Sequence, residues 1–198
     1  MIEMQKTPDQ GKNKLSHVGR QFFELIEFDE NEELLLEIRK HPFGYIVLLV
    51  AGAIIALSVI IATFAVASSG LLGELGFGSG RSFVALFGFL LAVLIIAATA
   101  IYSQLYRSDV VYITNEKVAQ VLYQTIFHRK VSQLNIGDVQ DVSVTQKGIF
   151  AHMFDYGTLV IETAGEQQNY TFSFVPSPHT SAKVIITSHE ANLKLYGN

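Results

Sequence analysis

Two long stretches of the chain contain no ionisable residue. Asp, Glu, Lys, Arg and His are all absent between His41 and Glu74, and again between Arg81 and Arg107. A helix needs about 20 apolar residues to cross the hydrocarbon of a bilayer. Inside that layer every backbone polar group must be satisfied within the segment, which a helix achieves. The pattern therefore predicts two transmembrane helices, residues 44–68 and 82–106, forming a hairpin. The connector, residues 69–81, carries five glycines from Gly70 to Gly80 and reads as a flexible external loop.

Beyond Arg107 the periodicity changes to short strands separated by turn residues. Val110–Thr114 is β-branched and aromatic and is ended by Asn115-Glu116. Lys117–Tyr123, Ile126–Leu134, Val139–Thr145 and Thr158–Thr163 follow. Tyr170–Val175 alternates, so Tyr170, Phe172 and Phe174 are expected on one face. Gly148–Gly157 is apolar but irregular and predicts a helical turn or folded loop. From Ser177, a candidate cap, and Pro178, a candidate first helical residue, the apolar spacing of Ala182, Ile185, Ile186, His189 and Leu193 predicts a terminal helix. Six or seven strands and one helix in residues 107–198 suit a small barrel or sandwich covered by that helix.

Ahead of the first span, residues 1–20 are polar and expected to be disordered. Residues 21–43 form an amphipathic, acidic juxtamembrane segment whose pattern fits helix and strand about equally.

Charge refines the picture. Residues 1–43 carry six basic and nine acidic side chains, and residues 107–198 seven and eight. Neither part has the basic excess that drives nucleic-acid binding, so no nucleic-acid partner is expected. Arg39, Lys40, His41 and Arg107 flank the spans, against Arg81 alone in the connector. That bias predicts both termini on the cytoplasmic side of the plasma membrane. The spans hold no ionisable group of the kind proton relays and ion paths require, and read as an anchor. Gly52 with Ala56, and Gly88 with Ala92, are small-residue pairs that let helices approach closely. The chain has no cysteine, which excludes disulfides and thiolate chemistry.

The soluble part is similar to the bacterial pleckstrin-homology-like (PH) domains. The residues that carry the resemblance are Tyr112–Lys117, Ile136–Val142, Asp155–Gly165 and Phe174-Val175-Pro176, with the juxtamembrane element Asn31–Pro42. The resemblance implies a PH-like barrel or sandwich of about seven strands, attached to two membrane helices, in a family largely of unknown function.

No chemistry-bearing motif emerges. The six histidines include no metal-type i, i+4 pair, and His189-Glu190 lacks the second histidine of a zinc motif. Asp138 and Asp141 are explained by turn chemistry. No catalytic residue, metal or cofactor is expected. His128, Arg129 and Lys130 form a basic run that is the candidate contact for lipid phosphates. The leading expectation is a non-enzymatic, membrane-anchored module that binds a protein partner or a second copy of itself. A lipid-headgroup module and an accessory subunit of a transport or secretion complex are the alternatives.

Overall fold

A computed structural model of the chain describes residues 15–23, 26, 28, 32–69, 80–163 and 169–196. It separates into two compact units, one made of residues up to Phe43 together with Leu105 onward, the other of Gly44–Gln104.

The second unit is a hairpin of two helices. Helix α2 spans Pro42–Ser68 and α3 spans Arg81–Ser108, with the connector residues 70–79 outside the described residues. At 1.5 Å per residue each is about 40 Å long, more than the roughly 30 Å of hydrocarbon in a bilayer. The residues facing inward are small: Gly44, Gly52 and Ala56 on α2, and Gly88, Ala92 and Ser103 on α3. A Cβ at Gly52 would overlap the Thr99 side chain, and one at Gly88 would overlap Thr63. Each threonine satisfies its hydroxyl on its own helix, Thr63 donating to the Val59 carbonyl at 2.6 Å and Thr99 to that of Ile95 at 2.8 Å. The large side chains, among them Phe64, Phe83 and Phe87, point outward. This inverts the arrangement of a water-soluble core. It is how helices pack where the surroundings are as apolar as the side chains and close backbone approach supplies the contact. Two candidate membrane-spanning helices of this kind suggest a membrane location.

The first unit holds seven antiparallel strands in two sheets. One sheet has the order β1 (Leu34–Arg39), β2 (Val110–Thr114), β3 (Lys117–Thr125), β4 (His128–Asn135). The other has the order β5 (Val139–Thr145), β6 (Tyr156–Thr163), β7 (Tyr170–Pro176). A 3-10 turn, Ile136–Asp138, links them. Helix α5, Pro178–Tyr196, follows β7. The core between these elements contains Ile38, Ile113, Val118, Leu159, Ile161, Phe172, Val175 and Ile185.

The strand that sequence reasoning left undecided is β1. It pairs with β2, Ile38 opposite Val111 and Arg39 opposite Val110, although the whole helical hairpin lies between them in the chain. The soluble domain is therefore not residues 107–198 alone. It needs the segment before the hairpin to complete its first sheet.

The tail expected over residues 1–20 lies outside the described residues as far as residue 14. From Leu15 the described residues pack on the sheet. Helix α1, His17–Phe23, lies on the outer face of the first sheet, with Leu15, Phe22, Phe23, Ile26 and Phe28 buried against Val110, Tyr112, Ala119 and Val121. Ser16 caps it, accepting the Gly19 N–H at 3.0 Å, while Glu37 of β1 accepts the Ser16 N–H at 2.7 Å. Tyr112 donates to the Gly19 carbonyl at 2.6 Å. Burial, and next the Glu37 carboxylate, push the Tyr112 hydroxyl well above its ordinary range. Both faces of β2 are thus covered, which accounts for its unbroken apolar run.

Two expectations of facing are corrected. On α5, Ser181, Ala182, Ile185 and Ser188 are buried while Ile186 and Leu193 are exposed, so the inward stripe is narrower and more polar than the apolar spacing implied. On β7 the register shifts between the pairs Gly157–Val175 and Leu159–Phe172. The bulge sends Val175 into the core and turns Phe174 out of it, at φ +58°.

Candidate functional site

The bulge at Phe174 helps build an aromatic cluster within the first unit, which includes Pro42 and Phe43 at the start of α2. The His41 N–H donates to the Phe174 carbonyl at 2.6 Å. The Phe174 ring stacks on Tyr156 at 5.4 Å and meets Tyr106 edge-on at 5.9 Å. Tyr156 in turn stacks on His41 and on Phe43, at 5.4 and 5.0 Å. Tyr106 donates to the His41 carbonyl at 2.9 Å. The residues bracketing the two long helices are therefore tied together within the soluble unit. His41 Nδ1 accepts the Phe43 N–H at 3.1 Å, which requires that nitrogen to be unprotonated. Burial lowers the His41 pKa below its ordinary value, with Asp155 acting in the opposite direction.

Beside the cluster, Lys40 pairs with Asp109 at 2.5 Å and its ammonium lies 5.0 Å from the Tyr106 ring centre. Asp109 also accepts the Tyr123 N–H at 2.8 Å. The pair borders a cavity of about 130 Å³ between β1, β3 and β7, lined also by Arg39, Gln120 and Thr171. Arg39 Nε and Gln120 Nε2 are buried without a hydrogen-bond partner.

The basic run lies at the β3–β4 hairpin. Arg129 is opposite Tyr123 and Lys130 opposite Leu122. Because side chains alternate across a strand, Arg129 projects to the face where Tyr123 meets Phe22, and His128 and Lys130 to the other. Three residues adjacent in sequence are thereby divided between two faces. The tip of the same hairpin is apolar, with Ile126 exposed and Phe127 96% exposed. Among the described residues β4 is an edge strand, paired with β3 and with no other strand, and its Gln133 carbonyl accepts the Tyr170 hydroxyl at 3.4 Å.

Gly52, Ala56, Gly88 and Ala92 lie at the contact between the two helices of the hairpin unit. Among the described residues no three His, Asp or Glu side chains gather as a metal site. His189 uses Nδ1 on the Ile136 carbonyl at 2.7 Å and fastens α5 to the 3-10 turn.

No curated protein matches the chain. Among solved structures, a DUF1696 family protein with a pleckstrin-homology domain from Shewanella loihica is similar over 41% of this chain and 70% of its own, at 14% identity and a TM-score of 0.34. The bacterial PH domain family matches residues 33–185, from the residue before β1, through both candidate membrane helices, to the buried Ile185 of α5. The chain belongs to the bacterial PH domain family.

Proposed function

We propose that this protein is a non-enzymatic, membrane-anchored PH-domain module that holds a protein partner, or a second copy of itself, at the cytoplasmic face of the membrane. The observation that carries the reading is the open edge at β4. An edge strand presents unpaired backbone donors and acceptors, a template for adding a further strand. Here Ile126, Phe127 and Val131 add exposed apolar area at one end of that edge, and His128, Arg129 and Lys130 add positive charge. The fitting partner is an extended segment with apolar side chains and a carboxylate or two.

The pairing of β1 with β2 supports one side of the membrane for both flanks of the hairpin. The excess of Arg39, Lys40 and Arg107 over Arg81 favours the cytoplasmic side. The division of the basic run between two faces disfavours a single headgroup cradle, so the lipid reading ranks lower.

The test is a photo-crosslinking amino acid at position 127 in the full chain, in native membranes. A reproducible protein adduct is expected, and the corresponding native complex should be lost in Ile126→Asp/Phe127→Asp. The absence of any adduct, or a complex indifferent to that double substitution, would remove the reading.

A further inference from the structure

The segment Ile149–Phe154 exposes four large apolar side chains: Ile149 at 82%, Phe150 at 57%, Met153 at 60% and Phe154 at 44%. Three of them belong to a one-turn helix, α4 (Ile149–Met153), between β5 and β6, and Phe154 is its C-cap. The turn is clamped at its base. Gly148 leads in at φ +88°, and Asp155 leads out in the left-handed region at φ +49°. Gln146 Nε2 donates to Asp155 Oδ1 at 3.3 Å and to the Tyr156 carbonyl at 3.2 Å. Ser177 donates to Asp155 Oδ2 at 2.7 Å. Within α4 the buried residue is Ala151. Fastened in this way, α4 leaves Ile149 and Met153 largely exposed.

Phe43 indicates what covers them. Its ring stacks on Phe150 at 5.6 Å and on Phe154 at 5.0 Å. Phe43 is the second residue of α2, and Gly44 continues the run without ionisable residues. The interfacial layer on each side of a bilayer is roughly 5–8 Å deep. A side chain one ring contact from the start of a spanning helix therefore lies within or beside that layer. Lys147, just ahead of α4, can keep its ammonium at the phosphate level while neighbouring apolar side chains go deeper.

We propose that α4 is an interfacial wedge, inserted into the leaflet that α2 enters, with Ile149, Phe150 and Met153 among the acyl chains. The occupant of this apolar face is lipid of the protein's own membrane. The inference rests on reading α2 and α3 as membrane-spanning, and it is independent of the partner assigned to the β4 edge.

The chain contains no tryptophan, so Phe150→Trp in the full-length protein creates a single reporter. The protein would be reconstituted in phosphatidylcholine–phosphatidylglycerol nanodiscs, with and without acyl-brominated phosphatidylcholine. The expected result is blue-shifted emission, at least twofold quenching by the brominated lipid, and little quenching by aqueous acrylamide. Strong acrylamide quenching without a bromine effect would overturn the wedge. Blue-shifted emission insensitive to bromine would overturn it too, and would mean that protein, such as a second copy, covers α4. Extraction of the variant from native membranes by alkaline carbonate would remove the anchor and the wedge together. Retention with a water-exposed reporter would remove the wedge alone.

Discussion

Tyr106, near the end of the second long helix, donates its hydroxyl to the carbonyl of His41, just ahead of the first, across 65 residues of sequence. The bond joins the two points at which the chain leaves and re-enters the soluble domain. It also orders the backbone at Pro42, where a proline begins the helix and brings no N–H of its own.

Tyr106→Phe removes that hydroxyl and keeps the ring that Phe174 and Lys40 contact. A net hydrogen bond is worth about 1 kcal/mol. Thermal unfolding of detergent-solubilised protein should show a loss of that order, and an unchanged midpoint would mean that water replaces the tyrosine without cost.

The Lys40–Asp109 pair is asymmetric. The Asp109 side chain is 7% exposed and that of Lys40 27%, so the carboxylate loses more on separation than the ammonium does. Asp109→Ala also orphans the Tyr123 N–H. Together these should cost about 2–3 kcal/mol, reduced by the partial exposure of the lysine. Lys40→Met should cost less than Asp109→Ala, and the reverse order in chemical denaturation would show the assignment to be wrong.

Gly88→Leu puts a side chain where the Thr63 side chain already lies. Overpacking typically costs about 1–3 kcal/mol. The strain belongs to the helix pair, so proteolysis within residues 44–104 should rise while near-ultraviolet dichroism of the soluble domain stays as it was. Thr63→Ala in the same chain should recover part of the loss.

His41 makes stability depend on pH. Its folded pKa lies below the ordinary 6.5 because burial disfavours the cation. The unfolded chain therefore binds more protons in the window just under pH 6.5, and stability rises with pH through it. The contribution is fully present above that window and is lost as pH falls. Nuclear magnetic resonance titration should place His41 below pH 6.5, and the Phe43 amide should exchange faster once Nδ1 is protonated. A titration midpoint at or above 6.5 would contradict the assignment.

Much of this fold is legible in the sequence because its signals are long or periodic. The two helices show themselves by the absence of charge over more than twenty residues, and the strands after Arg107 by turn residues at their ends. β1 was obscured because Leu34–Arg39 is short, contains both periods, and finds its partner only beyond the hairpin. The outward turn of Phe174 is not legible because strict alternation contains no information about a bulge. The core demanded Val175, and the strand bent to supply it. The basic run looked like a cluster because linear order hides the two faces of a strand. The exposed residues at Phe127 and on α4 were visible as letters, but their exposure depends on turn geometry that composition does not encode.

The placement of the helical hairpin between β1 and β2 has a consequence in time. During synthesis β1 leaves the ribosome first and has nothing to pair with. Its neighbour β2 appears only after both hydrophobic helices have been made. The leading strand must therefore wait, without its β2 partner, until both helices have been made. Closure of the sheet can therefore follow only after both long helices have been made, so the order of synthesis sets the order in which this domain is completed.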